Sequence, residues 1–378
     1  MTESRTALIL TGGGARAGYQ VGVLKAIREL LHEPQRNPFP ILCGTSAGAL
    51  NAASLAVAAE DFGAGVAGLV RVWENFNAHQ VYRADPAGIG VSGARWLSAL
   101  ALGWLTRRAP RSLLDNAPLR QLLSDSLDFS RIGRAIESGA LHSISITCSG
   151  YSSGQSVSFF QGRAGIEPWR RSQRVGAPAE ISLDHLMASS AIPFIFPAVH
   201  LNREWFGDGS MRQVAPVSPA IHLGAQKILV VGAGRLADEN ARPTGTTYPS
   251  LAQIAGHALS SIFLDSMSVD LERMSRINNT LSLIPDAARR DSGMSLRPIE
   301  VLTIAPSQRL DHLAARHAHA LPWPVRALLR GIGAMNPNGG ALTSYLLFEQ
   351  SYTRALIDLG YADTLARRGE VLDFLELS

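Results

Sequence analysis

Residues 39–59 read FPILCGTSAGALNAASLAVAA, and this stretch decides the fold. Its first part, Phe39 to Cys43, is a short apolar run of the kind that forms a strand covered on both faces. The small-residue segment from Ala49 to Ala59 predicts a helix, and Gly44-Thr45-Ser46-Ala47-Gly48 joins the two. A buried strand, a tight glycine turn and a helix are the repeating parts of a parallel sheet with helices on its faces.

The same pattern occurs once more, closer to the N-terminus. Ala7 to Leu10 is an apolar run, Thr11 to Gly14 interrupts it, and apolar residues recur at helical spacing from Ala15 onward. Two successive strand–turn–helix units predict an α/β fold with a parallel sheet. Further strands are predicted at Ser143–Cys148, Val157–Phe160 and Lys227–Gly232, and further helices at Ala117–Leu127, Leu183–Ser190, Leu251–Ile277 and Thr343–Leu359.

Residues 237–250, ADENARPTGTTYPS, have the composition of a loop and divide this layout in two. We expect a catalytic domain over residues 7–235 and a mostly helical C-terminal region over residues 236–378 that packs on the core.

Composition argues against several classes of protein. With 46% hydrophobic and 17% charged residues among 378, the chain can bury a large core, which argues against disorder. The formal charge is only +4, and aromatic residues do not alternate with the arginines, so no nucleic-acid partner is expected. No window reaches the ~18 consecutive apolar residues of a membrane span, so no transmembrane segment is expected.

The expected location is cytoplasmic, with at most a peripheral attachment to a membrane. The N-terminal residues lack the basic start and apolar stretch of a secretion signal. Cys43 and Cys148 are too few for a disulfide framework, and both lie in apolar runs, which predicts buried, reduced thiols.

Gly44 to Gly48 has the G-x-S-x-G form of a nucleophile elbow. In such a turn the backbone bends so sharply that a side chain at either glycine would clash. The turn presents the hydroxyl of Ser46 at the edge of the sheet, and the positive end of the following helix points toward it. An ordinary glycine-rich turn is the alternative, but the apolar strand before it and the helix after it favour the elbow.

The other glycine turn, Gly12-Gly13-Gly14-Ala15-Arg16, has two interpretations. A dinucleotide-binding loop would need glycine where Ala17 stands and an acidic residue after the second strand, and the sequence has neither. An oxyanion hole needs consecutive small residues whose N–H groups point at the oxygen that becomes negative in acyl transfer. Proximity to the elbow favours this second interpretation. Arg16 would steady the loop, contact a phosphate head group, or simply lie on the surface.

A base for Ser46 is harder to find. None of the ten histidines has a helpful setting, and zinc-ligand spacings such as H-E-x-x-H do not occur, so no metal is expected. Asp208 is the sharper candidate, because it lies between Gly207 and Gly209 and can approach another backbone closely. Desolvation there would raise its affinity for a proton. Taken alone, Asp-Gly signals a turn; the other motifs decide its interpretation.

The combination of motifs resembles that of the patatin-like phospholipase family. The family's glycine-rich segment with an arginine, its serine elbow and its late Asp-Gly dyad appear in the family's order, as Gly12–Gly18 (GGGARAG), Gly44–Gly48 and Asp208–Ser210 (DGS). A fourth block, Ala188–Pro197 (ASSAIPFIFP), precedes the aspartate as it does in family members. Two departures are Ala17, where a glycine is common, and Ser210, where Gly or Ala is usual.

The resemblance implies a three-layer α/β/α fold and a serine lipid acyl hydrolase of the phospholipase A type, without a metal or an organic cofactor. Carried over by position, Ser46 is the nucleophile, Asp208 the base, and Gly12 to Arg16 the oxyanion segment. Its donors are the N–H groups of Gly13 and Gly14, with that of Ala15 as a third candidate. The implied partner is a lipid substrate. Two alternatives share these motifs: an acyltransferase with the same acyl-enzyme, and a non-catalytic membrane-binding regulator. The presence of both Ser46 and Asp208 argues against the regulator.

One segment suggests how a lipid could be reached. Gly88 to Leu105 is apolar, carries Trp96 and Trp104, and runs into Arg107 and Arg108. Such a segment favours a helix at a membrane surface or a lid over the site. A core-packing helix is the alternative.

Overall fold

The computed structural model describes residues 5–86, 112–234, 250–262, 266–285, 288, 296–331, 333–335 and 340–377. The predicted surface helix at Gly88–Leu105 and nearly all of the 237–250 loop lie outside these residues. The described residues contain ten strands in one sheet: β1 Thr6–Leu10, β2 Ile41–Thr45, β3 Ser143–Gly150, β4 Ser156–Gly162, β5 Trp169–Arg171, β6 Arg174–Pro178, β7 Val199–Leu201, β8 Glu204–Asp208, β9 Lys227–Val231 and β10 Glu300–Ile304.

The sheet has the order β10-β9-β1-β2-β3-β4-β6-β5, and the β7–β8 hairpin attaches to β3. Its first five strands are mutually parallel, which confirms the predicted mostly parallel sheet. Strand β3 pairs with β2 as far as Thr147, and from Cys148 onward its partner is the antiparallel strand β8. Because β4 occupies the other side of β3, strand β8 continues the sheet where β2 ends.

Helices cover both faces of the sheet. Within the described residues they are α1 Gly18–Leu30, α2 Ala47–Val57, α3 Phe62–Glu74, α4 Ala117–Ser126, α5 Ser130–Ser138, α6 Leu183–Ser189, α7 Ser218–His222, α8 Leu251–Ser260, α9 Ser266–Ser282, α10 Leu310–His317, α11 Trp323–Gly331, α12 Gly340–Leu346, α13 Gln350–Ala366 and α14 Arg368–Phe374.

Alternation along the strands separates two apolar cores. In β1, Leu8 and Leu10 point into the core beneath α1, α2, α3 and α13. Ala7 and Ile9 point into the opposite core, beneath α7 and α9. A strand whose residues are apolar on both faces is buried on both faces, so the three-layer α/β/α arrangement is confirmed. No helix of the described residues is long and apolar enough to cross a membrane.

The C-terminal region differs from the sequence prediction in two places. The continuous helix predicted over Thr343–Leu359 is wrong: α12 ends at Leu346 and α13 begins at Gln350. In the short link between them the Phe348 amide donates to the Leu346 carbonyl over 2.9 Å, and the Phe348 ring packs against Phe76 with centroids 5.6 Å apart. Strand β10 was not predicted either, and it extends the sheet beside β9. The segment predicted as one helix over Leu251–Ile277 is described as α8 and α9. The division into two domains remains a prediction.

Candidate active site

Ser46 lies at the turn between β2 and α2, in a conformation that few residues adopt. Its φ of 55° and ψ of −129° belong to the sparsely populated region of a non-glycine residue, which costs roughly 1–3 kcal/mol and persists only when the surroundings enforce it. The two flanking glycines allow this turn. A Cβ at Gly44 would overlap the backbone of Ala49, and one at Gly48 would overlap the carbonyl of Leu10.

Asp208 meets Ser46 because of the strand exchange beside β3. Thr45 pairs opposite Thr147, and Asp208 pairs opposite the next residue, Cys148. The end of β2 and the end of β8 therefore lie together. The Ser46 hydroxyl donates a hydrogen bond to Asp208 Oδ2 over 2.6 Å. Both side chains are buried, at 1% and 0% exposure.

Burial sets the proton affinity of Asp208. Desolvation raises the pKa of its carboxyl group to about 6, although hydrogen bonds from Ser46 and Ser210 oppose the shift. The Ser210 amide donates to Oδ1 over 2.9 Å. Gly209 lets this turn approach β3, since a Cβ there would overlap the Thr147 carbonyl. The carboxylate is mostly ionised at neutral pH, yet it is a stronger base than an ordinary aspartate.

The glycine-rich loop after β1 lies against the same turn. Gly14 has a φ of 55° and lines the cavity that contains Ser46, and a Cβ there would overlap the carbonyl of Tyr345. Gly12, Gly13 and Ala15 are buried beside it. In the described part of the chain, the amides of Gly13 and Gly14 donate no hydrogen bond to a protein acceptor. Their hydrogen-bonding capacity is therefore unused within that part of the chain.

Arg16 is a buried support for this loop, so the surface interpretation is wrong. Its side chain is 5% exposed, its Nε donates to Ser344 Oγ over 2.8 Å, and its guanidinium lies 4.0 Å above the ring of Tyr345. Both partners belong to α12. The C-terminal region thereby holds the glycine-rich loop in place.

A chain of buried amide hydrogen bonds, which the sequence did not reveal, supports the loop from behind. Gln20 Nε2 donates to the carbonyl of Thr11 over 2.8 Å. Asn51 donates to Gln20 Oε1 over 3.0 Å and accepts from the Trp73 indole over 2.9 Å. These residues come from α1, α2 and α3, and buried polar groups that are fully paired fix a unique arrangement.

Two adjacent serines of the Ala188–Pro197 block also belong to the site. The Ser46 amide donates to Ser189 Oγ over 2.9 Å, and that hydroxyl donates to the Thr147 carbonyl over 2.7 Å. Ser189 therefore fastens the elbow to β3. Ser190 lines the cavity with Ser46, and its buried hydroxyl has no hydrogen-bond partner among the described residues.

The cavity beside Ser46 is narrow and apolar. Its volume is about 30 Å³, which is enough for water and far below the roughly 300–1,000 Å³ of usual small-molecule sites. Aliphatic and aromatic side chains form most of its wall: Leu50, Trp73, Phe76, Val81, Leu119, Ile192, Phe196 and Phe348. Such a wall suits a hydrocarbon chain. Among the described residues, no group of three or more His, Cys, Asp or Glu side chains could hold a metal ion.

Known proteins are similar to this chain over the region that contains the site. Residues 8–221 match the family model described as patatin-like phospholipase. The cGAMP-activated phospholipase of Pseudomonas aeruginosa (strain BWHPSA011 / Pa011) is 27% identical over 217 residues, which are 57% of this chain and 55% of that protein. The chain thus matches little more than half the length of this curated relative. The crystal structure of VipD from Legionella pneumophila aligns with a TM-score of 0.36 and 12% identity, over 94% of this chain and 67% of that one.

Proposed function

The chain belongs to the patatin-like phospholipase family, and on that premise we propose that it is a serine lipid acyl hydrolase with a Ser46–Asp208 dyad. Family membership and the phospholipase relative support lipid hydrolysis as the general function. The dyad rests on one observation, the 2.6 Å hydrogen bond from the Ser46 hydroxyl to the buried Asp208 carboxylate.

The first half of the reaction is acyl transfer to Ser46. Asp208 accepts the hydroxyl proton while Ser46 Oγ attacks the carbonyl carbon of a lipid ester. The amides of Gly13 and Gly14 stabilise the oxyanion, and one such donor typically contributes ~3 kcal/mol to the transition state. When the C–O bond breaks, Asp208 returns the proton to the leaving alcohol, and the acyl group remains on Ser46.

The second half releases the acyl chain. A water molecule gives a proton to Asp208 and attacks the acyl carbonyl carbon. The tetrahedral intermediate collapses, Ser46 regains its proton from Asp208, and a fatty acid leaves. The same carboxylate acts as base and then as acid in both halves, and a pKa of about 6 suits both roles near neutral pH.

The apolar cavity is the binding site for the acyl chain. At about 30 Å³ it admits water but not a fatty acyl chain in the described conformation. Entry of a chain requires the aromatic side chains at the wall to separate. Phe348 lies in the short link between α12 and α13. Its ring packs against Phe76 and Trp73, with centroids 5.6 and 6.4 Å apart, and those two rings stack on each other at 5.1 Å.

Replacement of the nucleophile tests the proposal. We expect Ser46→Ala to lower the hydrolysis of a soluble p-nitrophenyl ester by at least about 1000-fold, because the acyl-enzyme can no longer form. It should also abolish covalent labelling by a fluorophosphonate probe. Ser54→Ala is the matched control, since that hydroxyl lies on the same helix and donates to the Leu50 carbonyl. A folded Ser46→Ala protein that retains either signal would refute the assignment.

A second assay distinguishes hydrolysis from acyl transfer. With an added alcohol, a hydrolase releases the free fatty acid, whereas an acyltransferase forms the ester of that alcohol.

A further inference from the structure

A second, larger cavity lies at the opposite edge of the sheet from Ser46. It has a volume of about 630 Å³, which is in the usual range of small-molecule sites. Arg5 precedes β1, His142 precedes β3 and Gly224 precedes β9, so this wall is formed at the amino ends of parallel strands. His142 stands just before β3, and Cys148 of β3 pairs with Asp208. At about 3.3 Å a residue along the strand, the two sites are roughly 20 Å apart.

The cavity is rich in arginine. Arg5, Arg170 and Arg171 line it, and Glu167 is its acidic residue. In the parts of the chain that the structure describes, none of the ion pairs involves these three arginines. The Arg171 guanidinium donates one hydrogen bond, to the Arg170 carbonyl over 3.1 Å. Guanidinium groups without an ion-pair partner around a concavity attract anions and bind phosphate oxygens with two parallel N–H donors.

The pKa values of two histidines in the wall are lowered by burial and by the neighbouring arginines. Burial lowers the pKa of His142, and Arg5 and Arg163 lower it further. Burial, Arg171 and Arg174 lower the pKa of His222 to about 4. Both imidazoles are therefore mostly neutral at pH 7. The N–H group of His142 donates to the backbone of Leu223, whereas the N–H group of His222 can donate to an anion.

The back wall is a fixed aromatic stack. The ring of Trp169 stacks with that of Phe160 at 5.1 Å and with that of His222 at 4.7 Å, with interplanar angles of 17° and 9°. Because Trp169 is only 7% exposed, a ligand ring cannot stack on its indole. The charged rim therefore determines what binds.

The surroundings favour a soluble anion over a membrane. A protein that docks on anionic lipid also inserts apolar side chains beside its basic residues. The large apolar side chains that are exposed among the described residues, such as Phe194, Trp205 and Trp323, do not line this cavity. Charge without apolar anchors, in a concave site, suits a small molecule in solution.

We propose that this cavity binds a soluble phosphorylated small molecule, whose phosphate groups are held by Arg5, Arg170 and Arg171 with the imidazole of His222. The site does not depend on the assignment of Ser46 and Asp208. Inorganic pyrophosphate is a suitable probe, because it carries the charged part of such a ligand alone.

Calorimetric titration of the full chain with pyrophosphate at ~0.15 M salt tests the site, since weak surface attraction is screened there. We expect saturable 1:1 binding that is weakened at least about tenfold by Arg170→Gln/Arg171→Gln, because two charge-assisted contacts are lost. The matched control is Arg131→Gln/Arg134→Gln on α5, which removes two exposed arginines and the same net charge. This control should bind pyrophosphate as the wild type does.

Three outcomes would overturn the proposal. The first is no saturable binding at millimolar pyrophosphate. The second is an equal loss in both double variants, which would indicate a general effect of net charge. The third is Arg170- and Arg171-dependent binding to vesicles of phosphatidylglycerol without binding to pyrophosphate, which would make the cavity part of a membrane-binding face. Circular dichroism of each variant confirms that it folds.

Discussion

Asp208 at the carboxyl edge of the sheet and His222 at the amino edge are both shifted toward their uncharged forms, but their surroundings differ. Burial raises the pKa of Asp208 to about 6, and only hydroxyl and amide groups oppose the shift. Burial also lowers the pKa of His222 to about 4, and there Arg171 and Arg174 add to the shift. Burial among neutral donors produces a usable base, whereas cations around a neutral imidazole produce an attractive site for an anion.

The largest expected difference between the two edges is in catalysis. Asp208→Ala should lower ester hydrolysis by at least about 1000-fold, because the Ser46 hydroxyl loses its proton acceptor. His222→Gln should leave the rate within about twofold, since His222 lies at the edge of the sheet that does not contain Ser46. Steady-state assays of both variants with a soluble ester test this contrast. A loss of activity in His222→Gln as large as in Asp208→Ala would mean that the two edges do not act separately.

A smaller difference is expected in how stability depends on pH. The folded pKa of Asp208, about 6, exceeds the unfolded value of about 3.9, so the native state binds the proton more tightly. Its contribution to stability is present below pH 4 and is lost as pH rises through 6. The free energy of unfolding of Asp208→Asn should therefore exceed that of the wild type at pH 8, by on the order of 3 kcal/mol at most. This difference should shrink toward pH 4.

His222 should have the opposite dependence. Its folded pKa lies below the unfolded value, so the unfolded state binds more protons between about pH 6.5 and 4 and the wild type loses stability as pH falls through that range. His222→Gln should reduce this loss. Urea titrations from pH 4 to 8 measure both effects. Mass spectrometry of Asp208→Asn confirms that the new asparagine is intact, because Asn before Gly slowly deamidates to Asp. Parallel curves for the two variants would contradict the pKa shifts.

Much of the fold follows from local patterns. Apolar runs followed by glycine turns identified β1, β2 and their helices, because strands of a parallel sheet are buried on both faces and their helices follow at once. Strand β10 and the break between α12 and α13 were missed. Helical spacing continues through Leu346 and Leu347. The helix breaks where Phe348 packs on aromatic residues more than 250 positions away in the chain, a contact that has no local signal.

The candidate site shows the same limit. The glycine spacing around Ser46 and Asp208 predicted two tight turns, and the structure brings their oxygen atoms together. The supporting contacts have no local signal. Gln20 and Asn51 are single polar residues in small or apolar segments, and Ser189 is one of two adjacent serines. Their partners come from other parts of the chain. For Arg16, three interpretations stayed open until its contacts with α12 were seen.

The pH dependence of fluorophosphonate labelling at Ser46 tests the central claim most directly, since it reports the reactivity of one hydroxyl without substrate binding or product release. If Asp208 is the base, the labelling rate is constant above pH 7, falls to half near pH 6 and drops about tenfold for each further pH unit, and Asp208→Ala labels slowly at every pH. A rate that stays constant from pH 8 to 5, or an Asp208→Ala protein that labels as fast as the wild type, would contradict the account.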